Sequence, residues 1–287
     1  GYDRHFSICE NFGIDMITVP MLADGPDMDL VEKLVRDDES IKGIWCVPKY
    51  SNPTGIVFSD KVVERMANLK PKAKDFRVFW DNAYCVHSLY DTDDKLKNIF
   101  DVARKAGTSD MIYCFASTAK ITFAGSGVAV FASSQNNVQD MLKRLFFKRI
   151  NPNKVNQVIH VEYLKNVDNI KKIMAQHAAI LRPKFDLFKD RMEEAFGDDE
   201  NVSWSKPRGG YFISLDVPGC AKRIVSLASD AGVKFTAAGS TFPYRIDDND
   251  SNIRIAPSVP SLDEMNFAID VLTCAIRIAL AEKYLAK

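Results

Sequence analysis

Between residues 14 and 131, short apolar runs alternate with helical patterns, and this alternation limits the fold more than any other feature of the chain. Residues 14–19 (IDMITV), 44–47, 77–80, 111–115 and 127–131 read as strands. Residues 29–36 place Leu30, Val31, Leu34 and Val35 at helical spacing. Ser59 stands where it would cap a helix carrying Val62, Val63, Met66 and Leu69 on one face. A helix over residues 96–105 is stopped by Gly107. Strands and helices in this order imply right-handed crossovers and an α/β architecture, with a mostly parallel sheet covered on both faces.

The character then changes. Residues 138–196 are helical in pattern, with Asn151-Pro152 interrupting and Arg182-Pro183 predicting a kink or restart. After Gly197, strands are predicted at residues 202–204, 210–215, 233–236 and 252–255, with helices over 221–231 and 262–285. This is a smaller α+β unit. The boundary falls inside the helical stretch, giving a large domain over residues 1–180 and a C-terminal domain over 181–287.

Composition removes several function classes. Lys plus Arg equals Asp plus Glu at 38 each, so no basic excess points to nucleic acid or an anionic membrane. No apolar run is long enough to span a bilayer, and no signal peptide is evident. The six cysteines form no C-x-x-C pair, which predicts reduced thiols in a cytoplasmic protein. His5, His87, His160 and His177 show no ligand spacing, so no structural metal is expected.

Ligands of open α/β sheets collect at the carboxyl ends of the strands. Three polar groups follow predicted strands: Tyr50-Ser51-Asn52-Pro53-Thr54-Gly55, Asp81-Asn82-Ala83-Tyr84 and Ser117-Thr118-Ala119-Lys120. Each alone has an ordinary explanation, as a tight turn, a helix cap or a solvated charge. Their joint order and spacing point elsewhere. Together with Pro207-x-Gly209-Gly210-Tyr211-Phe212 and Asn252-x-Arg254, they make nearly the whole chain resemble the aspartate aminotransferase family of fold-type-I pyridoxal-phosphate (PLP) enzymes. The wording around Lys120 (STAKITFAGSGVAV) is most similar to the MocR-like aminotransferase branch.

The resemblance implies the PLP-dependent transferase fold and assigns roles. Lys120 would hold pyridoxal 5′-phosphate as a Schiff base, and its freed amine would carry a proton between substrate and cofactor. Asp81 would pair with the pyridinium nitrogen, while Asn52 and Tyr84 would hydrogen-bond the ring's phenolic oxygen. Ser117 would bind phosphate. Arg254 would grip the substrate α-carboxylate in a bidentate pair, with Asn52 and Gly210 also close to the substrate. Tyr2 would lie near the ring, and the Phe242-Pro243-Tyr244 loop would approach the site. Arg4, Arg208 and Arg245 are candidates for a second carboxylate. The implied activity is amino-group transfer between an amino acid, aspartate or glutamate, and a 2-oxo acid such as 2-oxoglutarate, by a homodimer. A lyase on the same scaffold, or the non-catalytic sensor domain of a MocR-type transcriptional regulator, would carry the same cofactor residues.

Two departures from the family pattern concern the phosphate. An arginine expected shortly after the lysine is replaced by Ala124-Gly125-Ser126-Gly127, where Ser126 or an N–H nest would have to serve. The family's N-terminal arm, helix and Gly-rich turn would precede residue 1 by roughly a hundred residues or more, so the chain is expected to be N-terminally incomplete.

Overall fold

The computed structural model describes residues 1–91 and 94–286. It opens with α1 (Asp3–Asn11), a helix not foreseen from the sequence because Cys9 is its one buried residue and no apolar stripe marks it. Residues 14–19 form no strand and are mostly exposed, so their apolar residues find no sheet partner. A two-residue ladder follows instead, β1 (Met21–Leu22) with β2 (Gly25–Pro26).

Helix α2 (Met28–Asp37) starts on the Asp27 carboxylate, which accepts from Asp29 and Leu30 N–H groups. The central sheet then begins with β3 (Gly43–Cys46), and α3 (Asp60–Ala67) is capped by Ser59 as expected. Next come β4 (Arg77–Asp81), α4 (Ile99–Ala106) closed by Gly107, β5 (Ile112–Ser117) and β6 (Ala129–Ala132). The sheet order is β3-β4-β5-β6, with the first three strands parallel and β6 antiparallel to β5. Residues 118–128 hold no helix that could carry a parallel crossover.

Successive residues of β4 point to opposite faces. Val78 and Trp80 join Val31, Val63, Met66, Phe76 and Ile112 in a buried core under α2, α3 and α4. Phe79 points the other way, onto an aromatic row of Trp45, Phe115 and Tyr113, which Phe131 extends. Among the described residues that second face is only partly covered, His5 of α1 stacking on Trp45 at 4.2 Å. The expected two-sided cover is therefore one-sided here.

The helical stretch divides into α5 (Gln135–Phe146), α6 (Lys154–Leu164) and α7 (Val167–Phe196). Helix α7 runs through Pro183 instead of restarting there. Arg182 Nε donates to Leu89 O at 2.6 Å and Lys184 Nζ to Ser258 O at 3.2 Å, so the turn around the proline is fixed from both sides. Buried Leu181, Phe185, Phe188, Met192 and Phe196 then carry its last turns into a second core. That core is completed by β7 (Ser203–Trp204), β8 (Ile213–Asp216), α8 (Ala221–Asp230), β9 (Asn252–Ile255) and α9 (Leu262–Leu285), with an antiparallel β7-β8-β9 sheet. The strand expected at residues 233–236 does not form; Thr236 instead reaches Arg254 O through its hydroxyl at 3.1 Å.

Candidate active site

Strand β4 ends at Asp81, half-buried at the carboxyl edge of the central sheet. Burial pushes its carboxyl above the ordinary range, while the Lys120 ammonium, the Trp45 indole N–H and the Ala83 N–H pull it down. Tyr84 follows in the turn and is 3% exposed. Burial first, then the Asp81 charge, raise its hydroxyl well above the ordinary range. Lys120, in the turn after β5, places Nζ 5.1 Å from the centre of the Tyr84 ring. Tyr84 meets Tyr211 and Phe212 edge-on at 5.8 and 6.4 Å, and the Arg254 guanidinium lies over Phe212 at 4.8 Å. Residues from both sheets therefore converge on one tyrosine.

The polar atoms around this point are incompletely satisfied. Asn52 Oδ1, Thr54 Oγ1 and Arg254 Nε and Nη1 are buried without a hydrogen-bond partner among the described residues. Buried polar groups are nearly always paired, so these atoms are free to meet a polar ligand. The Arg254 side chain is 9% exposed, and its pairing with Asp3 is loose, at 3.9 Å. Ser117 is exposed; its Oγ accepts from Ala119 N–H at 3.0 Å, which leaves its hydroxyl proton to donate. In the glycine-containing turn, Ser126 N–H goes to Phe123 O and Val128 N–H to Thr118 Oγ1. Two of the N–H groups available for an anion nest are thus spent inside the turn.

Gly210 belongs to a segment laid across the first sheet's loops. Gly209 forms a bridge to Ser88, Leu89 N–H donates to Arg208 O, and Gly210 N–H donates to His87 O, the last two at 2.9 Å. A Cβ at Gly209 would overlap the Tyr50 ring and stand 2.6 Å from His87 O, and Gly210 has φ +82°, so this Gly-Gly pair is what allows the close approach. Arg208 is ion-paired to buried Asp94, which also accepts from Tyr50 Oη at 3.0 Å. Arg208, one of the three candidates for a second carboxylate, is thus already ion-paired, and Arg4 and Arg245 are solvent-exposed. The 242–244 loop leans on the N-terminal segment, Tyr244 Oη accepting from Met16 N–H at 2.8 Å. Tyr2 is exposed at the start of α1.

A family model described as aspartate amino-transferase matches residues 1–287. The chain belongs to this family. An aspartate aminotransferase of Corynebacterium glutamicum is 44% identical over 285 residues, covering 99% of this chain and 66% of its own length. The chain thus spans slightly less than two thirds of that relative. The crystal structure of an aspartate transaminase from the same species superimposes with a TM-score of 0.96 at 44% identity, covering 99% of this chain and 67% of that one. An α-aminoadipate aminotransferase of Thermus thermophilus, complexed with N-(5′-phosphopyridoxyl)-L-leucine, shares the fold at 20% identity, with a TM-score of 0.81 over 98% of this chain and 70% of its own.

Within this aminotransferase-family chain, the residues singled out from sequence fall into two groups. Lys120, Asp81, Tyr84 and Arg254 are linked by direct ring and charge contacts, and Gly210 is adjacent through Tyr211. Asn52 contributes an unpartnered buried amide oxygen, and Ser117 lies on the exposed rim. Sequence reading missed His87 and Trp45. The signal for His87 was available, since it lies three residues beyond Tyr84 in the same turn. Trp45 gave none, because it reads as one more apolar strand residue.

Proposed function

We propose that this chain binds pyridoxal 5′-phosphate through Lys120 and catalyses amino-group transfer between aspartate or glutamate and a 2-oxo acid such as 2-oxoglutarate. The observation that carries the reading is the meeting of Lys120, Asp81 and Arg254 around Tyr84, beside buried polar atoms that have no protein partner. The residues fit the cofactor. A half-buried carboxylate lacking a full cationic partner suits a protonated ring nitrogen, and Asn52 can turn its amide to donate to a ring oxygen. The named aspartate aminotransferase relative supports the substrate class.

When bound, the cofactor supplies an electron-withdrawing ring that stabilises negative charge at the substrate Cα. The chain's own residues do the rest. The Lys120 amine would anchor the cofactor carbonyl and then take and return the Cα proton. Asp81 would hold a proton on the ring nitrogen, and Asn52 and Tyr84 would donate to the ring oxygen. Ser117 would donate to phosphate. Arg254 would fix the substrate α-carboxylate through two parallel N–H bonds, which lysine's single ammonium does not reproduce. Homodimerisation belongs to the same proposal; the exposed side chains of Phe146, Phe147 and Ile150 support it as apolar surface that self-association would cover.

The test is an assay of the purified chain with the cofactor and a panel of amino donors against 2-oxoglutarate. Glutamate formation with aspartate as the preferred donor is the expected result. Keto-acid release that needs no oxo-acid acceptor would overturn it in favour of a lyase.

A further inference from the structure

The backbone carbonyl of Lys120 accepts two side-chain hydrogen bonds. Tyr211 Oη donates to it at 2.8 Å and His87 Nε2 at 3.1 Å. A carbonyl can only accept, so Nε2 must carry the hydrogen and His87 is the Nε2–H tautomer. Its other nitrogen, Nδ1, is then a bare acceptor; it is buried and makes no hydrogen bond of ordinary geometry among the described residues, although the Tyr84 main chain is near enough to act on the ring. Burial holds the imidazole pKa down, to about 4, so this neutral tautomer persists at working pH. A buried, unpaired ring nitrogen is a cost that a purely space-filling residue would not carry.

The two donors also pack on each other. His87 and Tyr211 meet edge-on at 5.2 Å, and each meets Tyr84 edge-on, at 5.5 and 5.8 Å. His87 and Tyr211 thus hold the Lys120 carbonyl, and both pack on Tyr84, the ring over which the Lys120 Nζ lies. Tyr84 and His87 belong to the turn after β4. Tyr211 arrives from the other core, on the segment pinned by the Ser88–Gly209 bridge, the Gly210-to-His87 bond and the Arg208–Asp94 pair.

We infer that Tyr211 and His87 are positioning residues that fix the Lys120 main chain, so that docking of the 207–212 segment sets where the lysine amine points. This rests on the proposed role of Lys120 and adds to it: the C-terminal unit would control the anchor without touching the reacting atoms. Two donors on one oxygen should be partly redundant. Loss of either leaves the carbonyl paired, whereas loss of both leaves it bare.

The experiment is stopped-flow capture of pyridoxal phosphate by cofactor-free full chain, followed at the violet-edge absorbance band, with melting temperature measured in parallel. Y211F removes only a hydroxyl. H87N moves the donor away from the Nε2 position, and H87Q keeps one there. Each of Y211F and H87N is expected to slow capture about threefold to tenfold, the range of one neutral hydrogen bond. H87Q should recover most of the rate lost in H87N, which a merely structural role would not produce. Y211F/H87N should be slower than the product of the two single effects. A double variant that captures the cofactor at the unsubstituted rate, or H87Q indistinguishable from H87N, overturns the inference while the band itself still supports Lys120 as anchor. Absence of the band in the unsubstituted protein overturns the reading of Lys120 and this inference together.

Discussion

Around Tyr84 the site is made of strand ends and is closed: Tyr84 is buried, the Arg254 side chain nearly so, and Asp81 is half-covered. Around Ser117 it is made of a turn and is open, with Ser117, Lys120 and Gly125 all exposed. The contrast assigns different physics to each side. Charges in the closed half are poorly solvated, so each interaction there is strong and its loss expensive. The open half competes with water, and single contacts there count for little.

Substitutions should separate the halves in that order. Arg254→Lys keeps the charge in the closed half but loses the planar fork. It is expected to lower kcat/KM for the amino acid about 100-fold, within the range for breaking a buried charge pair. A loss under threefold, measured in steady state, would break the contrast.

His87 sharpens the closed half through pH. Its folded-state pKa is lowered by burial from 6.5 to about 4, so between those values the unfolded chain binds a proton that the folded chain does not. Stability from this source is therefore present above 6.5 and lost as pH falls towards 4. The stability difference between pH 7 and pH 5 should be about 2 kcal/mol smaller in H87Q than in the unsubstituted chain. Urea denaturation at the two pH values measures this, and equal differences would place His87 in a solvated setting.

Ser117→Ala tests the open half and should be the mildest change. One exposed hydroxyl contributes about 1 kcal/mol, so cofactor affinity should fall less than tenfold by spectroscopic titration. A 100-fold loss would mean that the rim carries as much as the strand ends.

The closed half was also the more legible in sequence. Asp81 and Tyr84 follow an apolar run whose strand identity is fixed by Val78 and Trp80 facing a helix-covered core. Asn252-x-Arg254 lies in a strand whose alternate residues Ile253 and Ile255 are buried. What failed to read had no local cause to read. Residues 14–19 look like a strand but pair with no strand among the described residues, and strand identity is a property of the partner. Pro183 reads as a break, yet its neighbours' bonds to Leu89 and Ser258 come from distant segments. Arg208 looks like a free cation in sequence because its partner, Asp94, is remote along the chain and buried. His87 could be read only from its place three residues beyond Tyr84, because its partner, a main-chain carbonyl, leaves no mark in sequence.

The central claim is that Lys120 anchors the cofactor at the meeting point of these two halves. Its most direct measurement is the absorbance spectrum of the purified chain with pyridoxal phosphate, compared with that of K120A. A violet-edge band is expected in the unsubstituted protein and should disappear in K120A while the fold, checked by circular dichroism, is retained. An identical band in both proteins would contradict it.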